Sequence, residues 1–250
     1  MSVVLCPFSS FRLYPLSFIF YPSNMRVYLE FGKKKVGVSA VDWPGLSRTA
    51  KTEEAALDML LSYGSRYATV LHAAGIDFAP PSSIEAFDVV ERIEGDAGTD
   101  FGGPAAIPSF DSRDHIMEDE SILLPQLNIL RACWAGFDRA AEDAVGKELR
   151  KGPRGGGRDL NKMIAHVVEA EQAYIRRIAA KVPKMKDEPL HETLQRTRVA
   201  IEEALFSAVR NGLPEKGPRG GKIWTPQAFI RRAAWHLLDH LWEIEDRIAD

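Results

Sequence analysis

Four long segments in the last part of this chain repeat apolar side chains at intervals of three and four, and that periodicity constrains the fold most. The first, about 119–145, places Leu123, Leu127, Leu130, Trp134, Phe137 and Ala141 on one stripe. The second, about 159–181, carries Leu160, Met163, Ile164, Val167, Tyr174, Ile175 and Ile178. The third, about 190–210, carries Leu190, Leu194, Thr197, Ile201, Leu205 and Ala208, and the fourth, about 225–249, carries Phe229, Ala233, Leu237, Ile244 and Ile248. A helix at 100° per residue gathers each set on one face, and a one-sided apolar face must be buried against another. Residues 119–250 are therefore expected to form an all-α four-helix bundle around one core. Pro125 suggests that the regular part of the first helix starts a few residues late.

The first part of the chain reads differently. Met25–Phe31 and Lys33–Ala40 look like two strands, joined by Gly32 and the lysines. Asp42–Leu46 reads as a turn. A helix opens at Thr52 and carries Ala55, Ala56, Leu57, Met59, Leu60 and Leu61; a second covers about 65–74 and stops at Gly75. Phe87–Ile93 is a further strand. Residues 25–100 thus form a small α+β unit, and 101–118, with two prolines, two glycines and no periodicity, read as a linker. The fold class expected is α+β: a small αβ module followed by a bundle. Residues 1–24 are aromatic-rich with Pro7, Pro15 and Pro22, and lack a basic start and a small-residue cleavage site. They read as a mis-assigned start or a disordered tail, with a secretory leader as the alternative.

Composition excludes more than it assigns. A net charge of −3 gives no reason to expect broad binding to nucleic acid or an anionic membrane. Two cysteines, Cys6 and Cys133, cannot build a disulfide framework or a four-thiolate zinc site, and a reducing cytoplasm is the simplest compartment. Cys133 lies beside the Leu130/Trp134/Phe137 stripe and reads as a small core residue.

The chemistry is carried by histidines. His236 and His240 are four apart and so stack on one face of the fourth helix, the spacing two imidazoles need to reach one metal ion. His166, on the second helix beside Ala170 and Ala173, is the natural third ligand. Three neutral imidazoles suit zinc, nickel, iron or copper and leave a position open for water or substrate. The competing reading is three half-buried histidines that cap or hydrogen-bond. Glu171, in the middle of the second stripe, is a candidate general base or a group that orients an imidazole; otherwise it is an internal partner for an arginine. Glu243, three residues after His240, could bind the metal, orient His240 or sit on the surface. Arg232 and Trp235 flank His236 and could hold an anionic group, or be a surface ion pair and a packed indole. The hexapeptide Lys-Gly-Pro-Arg-Gly-Gly occurs twice, at 151–156 and 216–221, just before the second and fourth helices. Its Arg154 and Arg219 could cradle a phosphate or carboxylate.

The stretches Ala165–Glu171 and Trp235–Arg247 together resemble the DinB/YfiT superfamily, whose pattern is a histidine on the second helix and H-x3-H on the fourth. The resemblance covers roughly the last 130 residues. It implies a divalent-metal-dependent protein (Zn, Ni or Fe) acting on a small molecule. It further implies a transferase or isomerase using a low-molecular-weight thiol such as mycothiol, bacillithiol or glutathione, or a metal-assisted hydrolase. Met25–Leu61 resembles the HicB-like antitoxin module, through Asp42, Pro44 and Gly45 in the turn and Thr52–Leu57 at the helix start. No DNA-binding tail accompanies it. It reads as a recruited scaffold that packs on the bundle or forms a homodimer. The alternative function is a non-catalytic binding or regulatory protein with a metal-stabilised bundle and a HicB-like interaction module.

Overall fold

The computed structural model describes residues 24–112, 119–151, 157–183, 185–217 and 220–248. The expected leader falls almost wholly outside the described residues, as do Arg154 and Arg219. The chain is mixed α and β. A four-stranded sheet near the start is followed by helices.

Strands β1 (Met25–Phe31), β2 (Val36–Ala40) and β3 (Ser47–Ala50) form an antiparallel meander, and β4 (Phe87–Glu94) adds parallel to β1, giving the order β3-β2-β1-β4. A parallel neighbour needs a long crossover, and α1 (Glu53–His72) supplies it. The sequence leads to two helices here; the structure has one. Gly64, which lowers helix propensity, stays inside α1 because Pro80 packs against it: a Cβ there would lie 3.1 Å from the proline ring. β3 was not expected either, since its four residues, Ser47-Arg-Thr-Ala50, carry no apolar alternation. Its pairing with β2 and its cover by α1 make it a strand. The short helix α2 (Ala97–Phe101) follows, with Asp96 and Thr99 forming a reciprocal cap.

The four expected long helices are present as α3 (Glu120–Asp143), α4 (Leu160–Tyr174), α5 (Leu190–Asn211) and α6 (Pro226–Arg247). Side chains of Asp119, Asp159 and Thr225 cap α3, α4 and α6, and Pro226 occupies the first position of α6, where its missing N–H costs nothing. Pro125 lies inside α3 instead of delaying it, because the Asp119 cap starts the helix at Glu120. α3 and α4 each pack against α5 and α6.

Sheet and helices share one apolar core running from Val27 and Leu29 through Leu130 and Phe137 to Leu237 and Ile244. Arg231 of α6 joins the two parts. Its guanidinium donates to the carbonyls of Ala40 and Val41 at 2.7 and 3.1 Å and to Asp111 at 2.7 Å, all buried. Gly45 makes the other junction. At φ +94° its backbone rests on Ala234 and Leu238, where a Cβ would approach to 2.9 and 2.8 Å. Segment 101–112 lies between the parts. Phe110 meets Tyr28 edge-on at 5.6 Å, and the backbone N–H groups of Ala105 and Ala106 donate to buried Glu30. Among the described residues no helix is long and apolar enough to cross a membrane.

Candidate metal centre

α4 and α6 pack against each other, and the sides that meet bring His166, His236 and His240 together. One ligand nitrogen from each ring lies within 4.8 Å of the other two. Ring centroids are 5.1 Å apart for His166 and His236, 5.0 Å for His166 and His240, and 4.6 Å for His236 and His240. His236 and His240 are 8% and 7% exposed; His166 is half-buried and forms the open side.

One pair of these nitrogens has the separation that two ligands of a shared divalent ion take. The Nε2 atoms of His236 and His166 are 3.2 Å apart. Two imidazole nitrogens at ~2.0–2.1 Å from one tetrahedral ion would be about 3.3 Å apart. Burial, then His240, His166 and nearby arginines, pushes His236 down to about 2, so its ring is neutral with a lone pair to offer. Burial, followed by Arg158, also lowers His166. The Nδ1 of His236 is buried without a partner among the described residues.

His240 is oriented from behind. Its Nδ1 is 3.0 Å from Oε2 of Glu243, and Oε1 of that carboxylate accepts from Arg247 at 2.7 Å. The bond to His240, with Arg247 beside it, holds the Glu243 carboxyl below its usual range. An ionised acceptor there keeps the proton on Nδ1 and turns Nε2 toward the centre. Arg247 is itself fixed by the carbonyls of Arg150 and Arg158.

The other expected site residues divide. Arg232 donates to the carbonyl of Pro104 at 2.9 Å and lies 4.6 Å over the Trp235 ring. Trp235 is a buried indole packed on Gly103. Glu171 points elsewhere: fully buried, it accepts from Trp134 Nε1 of α3 at 2.5 Å. Burial pushes its carboxyl up to about 7 against the opposing pull of Arg198 and Trp134. None of the described hydrogen bonds joins it to the histidines. Cys133 is wholly buried, and burial pushes its thiol up, as a core residue requires.

The histidines adjoin a cleft of about 1370 Å³ that sequence reasoning did not find. Tyr174 connects the two: it lines the cleft and meets His236 edge-on at 5.8 Å. Read from sequence, Tyr174 is one more apolar-stripe residue. α4 gives way to a tighter turn at Ile175–Ile178, ending in Ala179 with φ +60°, and Arg176 and Arg177 on that turn face the cleft. Besides Arg232, the sequence signal was the pair of arginines that follows Tyr174 after one intervening residue.

Comparison of this chain with protein-family models, with curated proteins and with solved structures finds no match.

Proposed function

We propose that the chain is a divalent-metal-dependent enzyme of the DinB/YfiT type, with His166, His236 and His240 as ligands, working on a small molecule with a thiol cofactor or water as nucleophile. The observation that carries this reading is the convergence of three ring nitrogens from two helices on a point with one open side, next to a cleft. Three buried or half-buried imidazoles with no carboxylate between them are a costly arrangement for stability alone, because uncompensated polar atoms lose their water. The Nδ1 of His236, unpartnered among the described residues, supports this reading.

A divalent ion there would supply Lewis acidity and lower the pKa of a water or thiol, so that the nucleophile forms at neutral pH. The chain's own residues do the rest. Glu243 holds the His240 proton on Nδ1, and Arg247 keeps Glu243 ionised and in place. Arg232, one turn before His236, presents positive charge at the cleft wall for an anionic group. Gly45 and Arg231 seat α6 on the sheet, so the N-terminal unit serves as a HicB-like scaffold for the histidine helix. Metal analysis of the purified protein beside a His236→Ala variant tests the reading. Wild type should carry close to one equivalent of metal per chain and the variant should lose most of it. Equal metal in the two would overturn the assignment. A thiol-conjugation screen then separates thiol from water as nucleophile.

A further inference from the structure

The cleft beside the histidines has a charge that the rest of the chain does not share. The whole chain carries a net charge of −3, yet among the described residues six cationic side chains line this cleft against two acidic ones. The two acids are already engaged. Asp111 takes the buried Arg231 guanidinium, and Asp96 accepts the backbone N–H of Gly98 at the start of α2. That leaves Arg176, Arg177, Lys181, Lys222 and Arg232 with no carboxylate partner among the described residues. Like charges gathered on a concave, partly apolar wall repel one another and focus positive potential into the cavity. Such a grouping is tolerable when an anion completes it.

The wall also has an aromatic and apolar part. Tyr174 and Trp224 lie 5.6 Å apart, and the Arg177 guanidinium sits 5.8 Å over the Trp224 ring. Ile223 is buried next to them. The backbone ties this wall to the arginines, since the Trp224 N–H donates to the Arg177 carbonyl at 2.7 Å. The volume, about 1370 Å³, exceeds the roughly 300–1,000 Å³ of ordinary small-molecule sites, so a small organic molecule has ample room. We propose that this cleft binds an organic anion with a flat apolar body and a phosphate or carboxylate, the charged end held by Arg176, Arg177 and Lys222. Its other end then reaches past Tyr174 to the histidines. That last step rests on the proposed metal function; the binding itself does not.

The test uses the full-length chain stripped of metal by a chelator, so that an anion cannot be held through an ion. Calorimetric titrations with 1-naphthyl phosphate, 1-naphthoate and the neutral 1-naphthalenemethanol compare the two anion chemistries with an uncharged body of the same shape. The expected result is one site per chain that takes one or both anions at least tenfold more tightly than the alcohol, and weakens as salt is raised. The double variant Arg177→Gln with Lys222→Gln changes two exposed side chains and should lose at least tenfold in anion affinity, with an unchanged melting temperature. Equal affinity for alcohol and anions, or a double variant that binds like wild type, would overturn the proposal. So would anion binding that appears only after zinc is restored, an outcome that would leave the metal reading standing. Anion binding by a wild-type chain that takes up no zinc would separate the two the other way, upholding the cleft alone.

Discussion

Replacing Glu171 by glutamine should change stability by an amount that depends on pH. The carboxyl is 1% exposed, accepts one bond from Trp134, and has a second oxygen with no partner among the described residues. Burial raises it from 4.5 to about 7. In the unfolded chain it titrates near 4.5. Between those pH values the native state keeps a proton that the unfolded state has released, so stability falls as pH rises through this window and levels off above 7. A shift of about 2.5 units at 1.36 kcal/mol per unit makes the loss about 3 kcal/mol. Glutamine mimics the protonated acid in shape and keeps an oxygen for Trp134. Glu171→Gln should therefore match wild type near pH 4.5 and be about 3 kcal/mol more stable at pH 8. Urea unfolding of both proteins, metal-free, at several pH values measures the difference, and other titrating groups cancel in it. A difference that does not vary with pH, or a variant less stable than wild type at pH 8, would refute the argument from burial.

Two further outcomes follow from the packing around the histidines. Glu243→Gln removes the charge that holds the His240 proton on Nδ1, and metal affinity measured by competition with a chromogenic chelator should fall roughly 10–100-fold with little change in fold. Gly45→Ala should destabilise the protein by about 2–4 kcal/mol in thermal or urea unfolding, because it combines a left-handed backbone with a Cβ pushed against Ala234 and Leu238.

The helices were legible because their signals are local. Apolar residues three and four apart define α3, α5 and α6 within a residue or two and the start of α4, whose α-helical part stops at Tyr174, short of the expected 181; Asp119, Asp159 and Thr225 mark three starts by side-chain caps. Spacing also put His236 above His240, since a separation of four on a helix permits nothing else. The parallel strand β4 and the first two strands were readable from β-branched and aromatic residues. β3 was not, because a strand of Ser, Arg, Thr and Ala owes its shape to its neighbours.

What the sequence alone determined is which residues share a helix face; what only the folded chain decided is which faces meet. The convergence of His166 with His236 depends on α4 lying against α6, a pairing between segments 70 residues apart that no local pattern encodes. The same holds for Glu171, which spacing allowed near the histidines and packing turned toward Trp134 instead. It holds again for the cleft, whose cations come from segments either side of α5 and acquire a shared field only when folding brings them to one wall. The reason is physical. Periodicity and capping act over a few residues of chain, whereas metal geometry and electrostatic focusing act through space.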